Sequence, residues 1–353
     1  MKNLLMHSIG FKAGGVKRSP GKRPMAKLEG TVRTTDSVRL DRYIADELEL
    51  LTRSQLKVRF VSSRVNGKAA KLSRLVEDGD RFDIELEDEE DHASAFAPED
   101  IALSVLYEDD RVMVIDKPQG MVVHPAHGNW SGTLANALLG RTFAPTGAPV
   151  GATPPRAGIV HRLDKDTSGV IVAGKTAAAQ DFLAAQFRDR TTVKTYVALV
   201  MGKPPAAAGR VDDWLARDPR HRQRFARCAE GTGKRAVSEW RVVASAGTHT
   251  LLVLRPRTGR THQLRVHCRD LGCPILGDPI YGRPDKRFPG ATLMLHAFEL
   301  LIRLPGDEAA SLFRAPLPGR FLAVASSLGL DPSAVLTVSN AGEQSPSVSP
   351  EPR

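Results

Sequence analysis

The stretch His161-Arg162-Leu163-Asp164-Lys165-Asp166-Thr167-Ser168-Gly169 carries the chain's densest set of groups able to do chemistry. Asp164 lies between two cations, Arg162 and Lys165, a setting that favours an ionised carboxylate. Such a group can attack an electrophilic carbon or abstract a proton. It can equally be one half of a structural ion pair. Asp-Thr-Ser-Gly is turn chemistry, and the apolar runs Ile159-Val160 and Val170–Ala173 on either side predict strands. Gly169–Thr176 also fits the phosphate-loop pattern G-x-x-x-x-G-K-[ST]. Its intervening Val-Ile-Val-Ala is β-branched and apolar, which makes a strand and not a loop of open N–H groups.

Other reactive groups are sparse. Cys228, Cys268 and Cys273 form no C-x-x-C pair, which predicts a reducing, cytoplasmic setting. His124 and His127, beside Pro125 and Gly128, lack the spacing of zinc ligands, and no metal site is expected. No apolar run is long enough for a membrane span, and the first residues are too short an apolar stretch for a signal peptide. The 353 residues allow two domains, and a net charge of +10 points to a polyanionic partner, nucleic acid before membrane.

The elements that must position these groups follow in order. Residues 1–30 hold seven Lys or Arg against one Glu and read as a disordered basic arm. Residues 37–88 read as a small α+β module. Leu40, Tyr43, Ile44 and Leu48 have helical spacing, and Thr52 can cap a second helix with Leu56 and Phe60 inward. Arg53 and Lys57 share a face of that helix, with Arg64 on the same face if the helix runs on. Asn66-Gly67 predicts a hairpin turn, and 81–86 alternates as a strand. Six acids in Glu85–Asp91 begin a linker, placed at 89–100. From 101 to 325 the chain is strand-rich. Strands are expected at 105–107, 112–118, 121–125, 192–201, 237–243, 250–254 and 293–304, with helices at 134–139, 177–187 and 261–271. Arg217, Arg220, Arg222, Arg224 and Arg227 suggest a basic loop or arm over 214–227, and residues 331–353 a disordered tail.

The His161–Gly169 stretch resembles the central motif of the RluA/RluD-type RNA pseudouridine synthases. Three further stretches agree in order: Lys117-Pro118-x-Gly120-x-Val122-Val123-His124-Pro125, Lys194-Thr195-Tyr196-Val197-Ala198, and Gly259-Arg260-Thr261-His262-Gln263-Leu264-Arg265-Val266-His267 followed by Pro274–Asp278. The likeness covers roughly residues 37–320, and residues 37–88 resemble the alpha-L RNA-binding module. Together these point to the large-subunit ribosomal RNA branch. The resemblance implies an α+β fold: a mixed, mainly antiparallel sheet with an RNA cleft, preceded by the small alpha-L domain.

It also implies a reaction, the isomerisation of uridine to pseudouridine with base flipping. That reaction breaks the ribose bond to uracil N1 and remakes it at C5. It is redox-neutral, so no redox cofactor is expected, and the uracil ring can itself stabilise the charge, so no metal is expected. By resemblance Asp164 is the catalytic carboxylate, acting by attack on the nucleoside or by proton abstraction. Tyr196 is the ring-stacking tyrosine, though a strand tyrosine can simply be packing. Arg265 pairs with the carboxylate, with Arg260 its rival for that role. Arg162 fills the space left by the extruded base, while His161, Arg260, Arg53, Lys57 and Arg64 are candidate RNA contacts. The expected partner is large-subunit ribosomal RNA or a pre-ribosomal particle, bound by a monomer. Two rival classes are a non-catalytic RNA-binding factor and a metal-dependent RNA hydrolase. The second would need several convergent carboxylates.

Overall fold

The computed structural model describes residues 10–13, 25–48, 50–51, 56–57, 59–87, 97–125, 129–141, 155–221 and 223–340. The chain divides into two compact units, Met1–Ala97 with Ala126–Ser131, and Pro98–Pro125 with Gly132–Arg353.

The smaller unit is built on a five-stranded sheet. Its strands are β1 (Gly10–Ala13), β2 (Met25–Thr31), β4 (Phe60–Val65), β5 (Lys68–Ala69) and β7 (Arg81–Glu87), and β3 (Val38–Arg39) pairs separately with β6 (Leu75–Val76). Of the expected basic arm, residues 10–13 and 25–30 belong to strands β1 and β2, with β2 pairing β7, and residues 1–9 and 14–24 lie outside the described residues. Helix α1 (Leu40–Arg42) runs into a wider helical turn, Tyr43–Glu47, and buries Leu40, Tyr43 and Ile44 as their spacing predicts. The β4–β5 turn has Asn66 at φ 52° and Gly67 at φ 75°, the left-handed pair that an Asn-Gly hairpin turn requires. Phe82, Ile84 and Leu86 alternate into the core from β7. Leu56 is helical and buried, but Phe60 already belongs to β4, so Arg64 projects from a strand instead of extending the helix face. Arg53 and residues 89–96 of the expected linker lie outside the described residues.

The larger unit is a ten-stranded, mainly antiparallel sheet with helices packed around it. Its strands are β8 (Ser104–Glu108), β9 (Val112–Lys117), β10 (Ser168–Gly174), β11 (Val193–Met201), β12 (Ala208–Arg217), β13 (Phe225–Cys228), β14 (Lys234–Ala246), β15 (His249–Pro256), β16 (Leu295–Arg303) and β17 (Ala310–Arg314). Its helices are α2 (Leu134–Gly140), α3 (Ala177–Asp189), α4 (Gln263–Asp270), α5 (Gly319–Leu328) and α6 (Ala334–Asn340). The spatial order is β13-β12-β14-β15-β11-β16-β10-β9-β8, with β17 on β16, and among the described residues only the β10–β16 pair is parallel.

Strands β9 and β10 read as unbroken apolar runs because both faces are covered. Met113, Ile115, Ile171 and Ala173 enter one core, while Val112, Val114, Val170 and Val172 enter the other. Val170–Ala173 is thus a strand interior, as argued against the phosphate-loop pattern. Ile159 makes only an isolated bridge to Ala173.

Three further expectations change. Residues 121–125 form no strand; they wrap the end of β9 as a loop, described below. The basic segment 214–227 is largely hairpin, β12 pairing with β13 from Trp214 to Arg217. Part of the expected disordered tail, Ala334–Asn340, is helix α6, and residues 341–353 lie outside the described residues. Among the described residues no helix is long and apolar enough to cross a membrane.

Candidate active site

Asp164 sits on the turn that leads into β10, and the turn is clamped from behind. Lys117, fully buried at the end of β9, donates its ammonium to the carbonyls of Pro118 (2.9 Å), Met121 (2.8 Å) and Lys165 (3.1 Å). The Gly120 N–H also donates to the Lys165 carbonyl (2.9 Å), and the Gln119 amide reaches the carbonyls of Asp166 and Leu293. Burial pulls Lys117 down to about 8, and the three carbonyl acceptors are suited to its charged form. On the far side of the turn Gly169 (φ 114°) packs on β16, where a Cβ would run into the Ala297 carbonyl. That contact is why the Asp-Thr-Ser-Gly stretch ends in glycine.

Asp164 opens into a cavity of about 390 Å³, whose walls include His161, Arg162, Tyr196, Arg260, His262 and Arg265. Tyr196 arrives from β11 at a bulge, where Thr195 pairs with Glu299 but Tyr196 with Ala297. Such an irregularity re-aims a side chain without ending the strand. Burial, and then the Asp164 carboxylate, push the Tyr196 phenol well above its ordinary value, so the neutral ring faces the cavity.

Arg265, on α4, is 4% exposed and donates from Nη1 to Asp164 Oδ2 at 3.5 Å. Its shorter bonds go to Asp278: Nε to Oδ2 at 2.7 Å and Nη2 to Oδ1 at 2.8 Å. Asp278 also accepts the N–H groups of Ile280 and Tyr281. Burial alone would raise Asp278, but the guanidinium and these amides outweigh it and hold the carboxyl below its usual range. The Arg265 guanidinium lies 5.2 Å from the Tyr281 ring centroid. The expected Arg265–Asp164 partnership is thus the outer half of an Asp164–Arg265–Asp278 chain. Arg260 instead donates to the Arg235 carbonyl at 3.1 Å.

His161 is tied to the sheet. Its Nε2 accepts the Val172 N–H at 3.0 Å, and its ring stacks on Phe187 at 4.3 Å. Burial, then nearby Lys194, bring it down to about 3, so it stays neutral. Arg162 is exposed at the cavity mouth. Arg188, Arg190, Lys194 and Arg257 add cations around the same cavity. Lys57 and Arg64 are exposed in the smaller unit. Sequence reasoning assigned no role to Lys117, Asp278, Tyr281, His262 or Lys194. Four of them, Lys117, Lys194, His262 and Asp278, stand inside the motifs that carry the family resemblance, the only signal available for them, and Tyr281 lies outside every motif.

The mainly antiparallel sheet thus brings a carboxylate, an arginine and a tyrosine to one cavity, and similarity to known proteins identifies the family. Residues 111–270 match the RNA pseudouridylate synthase family. The ribosomal large subunit pseudouridine synthase D of Borreliella burgdorferi is 38% identical over 300 residues, covering 84% of this chain and 91% of that protein. The protein of the same name from Nitrosomonas europaea is 40% identical over 293 residues, covering 80% and 81%. Among solved structures, human RNA pseudouridylate synthase domain containing 4 superposes with a TM-score of 0.50 at 27% identity, covering 65% of this chain and 94% of that one. The chain belongs to the RNA pseudouridylate synthase family and is an enzyme that isomerises uridine to pseudouridine in RNA.

Proposed function

We propose that the enzyme acts on large-subunit ribosomal RNA, free or in a pre-ribosomal particle, as a cytoplasmic monomer. The target uridine is flipped into the cavity beside Asp164, which either attacks the nucleoside or abstracts a ribose proton. In both routes the N1–C1′ bond breaks, the C5–C1′ bond forms, C5 loses its proton and N1 gains one. Tyr196 stacks on the uracil, and Arg162 occupies the space the base leaves, offsetting part of the few kcal/mol that extrusion costs. Arg260 and the His161 wall contact the RNA. The smaller unit serves as an alpha-L-type RNA-binding domain through Lys57, Arg64 and, outside the described residues, Arg53.

The observation that carries this reading is the Arg265 Nη1–Asp164 Oδ2 contact at 3.5 Å, at the wall of a cavity that also admits Tyr196. A carboxylate so placed is compensated yet open to a ligand. The names of the relatives support ribosomal RNA as the substrate. The test is release of label from uracil C5 in transcribed large-subunit RNA. Wild-type protein should release it, and Asp164→Asn should release none while binding the RNA almost unchanged. Near-normal turnover by Asp164→Asn would remove Asp164 from the reaction.

A further inference from the structure

His262 stands at the cap of α4 with φ 57°, a left-handed conformation uncommon for most residues but accessible to asparagine, aspartate and histidine. That backbone turns its ring into the cavity beside Asp164. Its two nitrogens face different groups. Nδ1 lies 2.9 Å from the Tyr281 hydroxyl, and Nε2 lies 4.0 Å from Asp164 Oδ2. The Tyr281 oxygen accepts the Phe225 N–H at 2.7 Å. A phenol has a single proton to give. The Phe225 amide fills one acceptor site of the phenol oxygen, and among the described residues His262 Nδ1 is the one acceptor within reach of the Tyr281 proton, which favours Tyr281 as the donor. A neutral His262 that accepts at Nδ1 carries its own proton on Nε2, the nitrogen facing Asp164.

Both donors near the carboxylate address the same oxygen. Arg265 Nη1 is 3.5 Å from Oδ2 and His262 Nε2 is 4.0 Å from Oδ2. Among the described residues no hydrogen bond reaches Oδ1. The two oxygens of Asp164 are therefore unlike: one is faced by donors and the other is left to the cavity. The His262 contact is longer than a hydrogen bond, as catalytic contacts without substrate often are, and such contacts tighten in the substrate complex.

We propose that Asp164 reacts through Oδ1, and that His262 is a positioning residue whose Nε2–H, fixed by Tyr281, holds Oδ2 together with Arg265. The proposal rests on Asp164 being the reacting carboxylate and adds the residues that decide which of its oxygens reacts. It holds for attack and for proton abstraction alike, since either needs one oriented oxygen. Burial lowers the His262 pKa and so agrees with a neutral ring. Phe225 also sits edge-on to His262 at 5.8 Å, so the start of β13 braces the ring that faces the carboxylate.

The test begins with the full-length wild-type protein and ¹⁵N NMR of its histidines. His262 should be the Nε2–H tautomer. In Tyr281→Phe, which keeps the ring stacked on Arg265, that tautomer should lose its dominance. His262→Asn tolerates the left-handed backbone but is too short to reach Asp164. It should slow single-turnover isomerisation about tenfold to a hundredfold, the effect of losing one hydrogen bond to a charged group. Its RNA affinity should stay within about twofold of wild type, as expected when phosphate contacts, which dominate affinity, are untouched. His262→Gln can present an N–H at the ε position and should recover most of the rate. An Nδ1–H tautomer in the wild type, or a wild-type rate in His262→Asn, would overturn the proposal. Asp164→Asn assayed alongside keeps the two ideas apart. If Asp164→Asn is inactive while His262→Asn is normal, only the role of His262 falls. If Asp164→Asn is active, both fall.

Discussion

Arg265→Leu should expose how much of the fold depends on the site. In the native protein Asp278 accepts two bonds from the guanidinium and two from the Ile280 and Tyr281 amides, and its side chain is wholly buried. The substitution removes the counter-charge and both bonds from Arg265, leaving Oδ2 with no donor and Oδ1 with two amides. Stranding one member of a buried ion pair costs about 3–5 kcal/mol, a large part of the stability of an ordinary domain. The pH dependence gives the sign. Native Asp278 is held below its unfolded value, so it adds stability above that value and loses it as pH falls through the folded one. Without Arg265, burial dominates and raises the carboxyl, so the variant is least stable near neutral pH and recovers as acid protonates Asp278. Urea unfolding of both proteins at pH 7.5 and pH 5 should show the penalty shrinking by more than half at the lower pH. Single-turnover isomerisation should fall about a hundredfold, a typical loss for one electrostatic catalytic group. Arg265→Leu combined with Asp278→Asn should regain most of the stability and none of the rate. An equal penalty at both pH values, or one below about 1 kcal/mol, would refute the buried-pair argument. Activity returning with stability in the double variant would refute the placement of Arg265 in the site.

Other predictions concern separate parts of the molecule. Lys57→Gln and Arg64→Gln should each lower the slope of log affinity against log salt by up to about one unit, measured by filter binding to ribosomal RNA transcripts, and an unchanged slope would deny them phosphate contacts. Gly169→Ala should cost several kcal/mol or prevent folding, because the Ala297 carbonyl leaves no room for a Cβ and φ is 114°; a melting temperature within a few degrees of wild type would contradict that. Gly67→Ala, in open space at φ 75°, meets only the backbone cost and should lose about 1 kcal/mol in the same assay.

Strands β9, β10 and β11 were legible as short, nearly continuous apolar and β-branched runs, and helix α3 because its inward residues keep helical spacing. The hairpin at Asn66-Gly67 was legible from turn chemistry alone. Residues 121–125 misled because apolar residues around Lys117 serve burial without joining a ladder. The 214–227 segment hid a hairpin because its outward charges are paired across strands, Arg227 with Asp213 and Arg235 with Asp212. Such pairs carry no local period. Asp164 stood out by its place between Arg162 and Lys165, but its role, and any reason to single out Tyr196 or Arg265, came only from resemblance to a family. The bond from Arg265 to Asp278 and the Tyr281–His262 contact depend on how α4 meets the following loop, which no spacing in the sequence records.

The clamp behind Asp164 has a consequence for how the enzyme comes into being. The bonds that hold the turn and its carboxylate join residues 48, 101 and 174 positions apart, from Lys117 to Lys165, Asp164 to Arg265 and Gln119 to Leu293. Contacts of such range form late, after the intervening chain has paid its ordering entropy. During synthesis the turn can close on Lys117 long before α4 exists to supply Arg265. Until then the carboxylate has neither its counter-charge nor its cavity wall. A ribosome-bound intermediate lacking α4 therefore carries the central motif in full without the Arg265 contact to Asp164, and on the proposed role of Arg265 it gains activity only once α4 has packed.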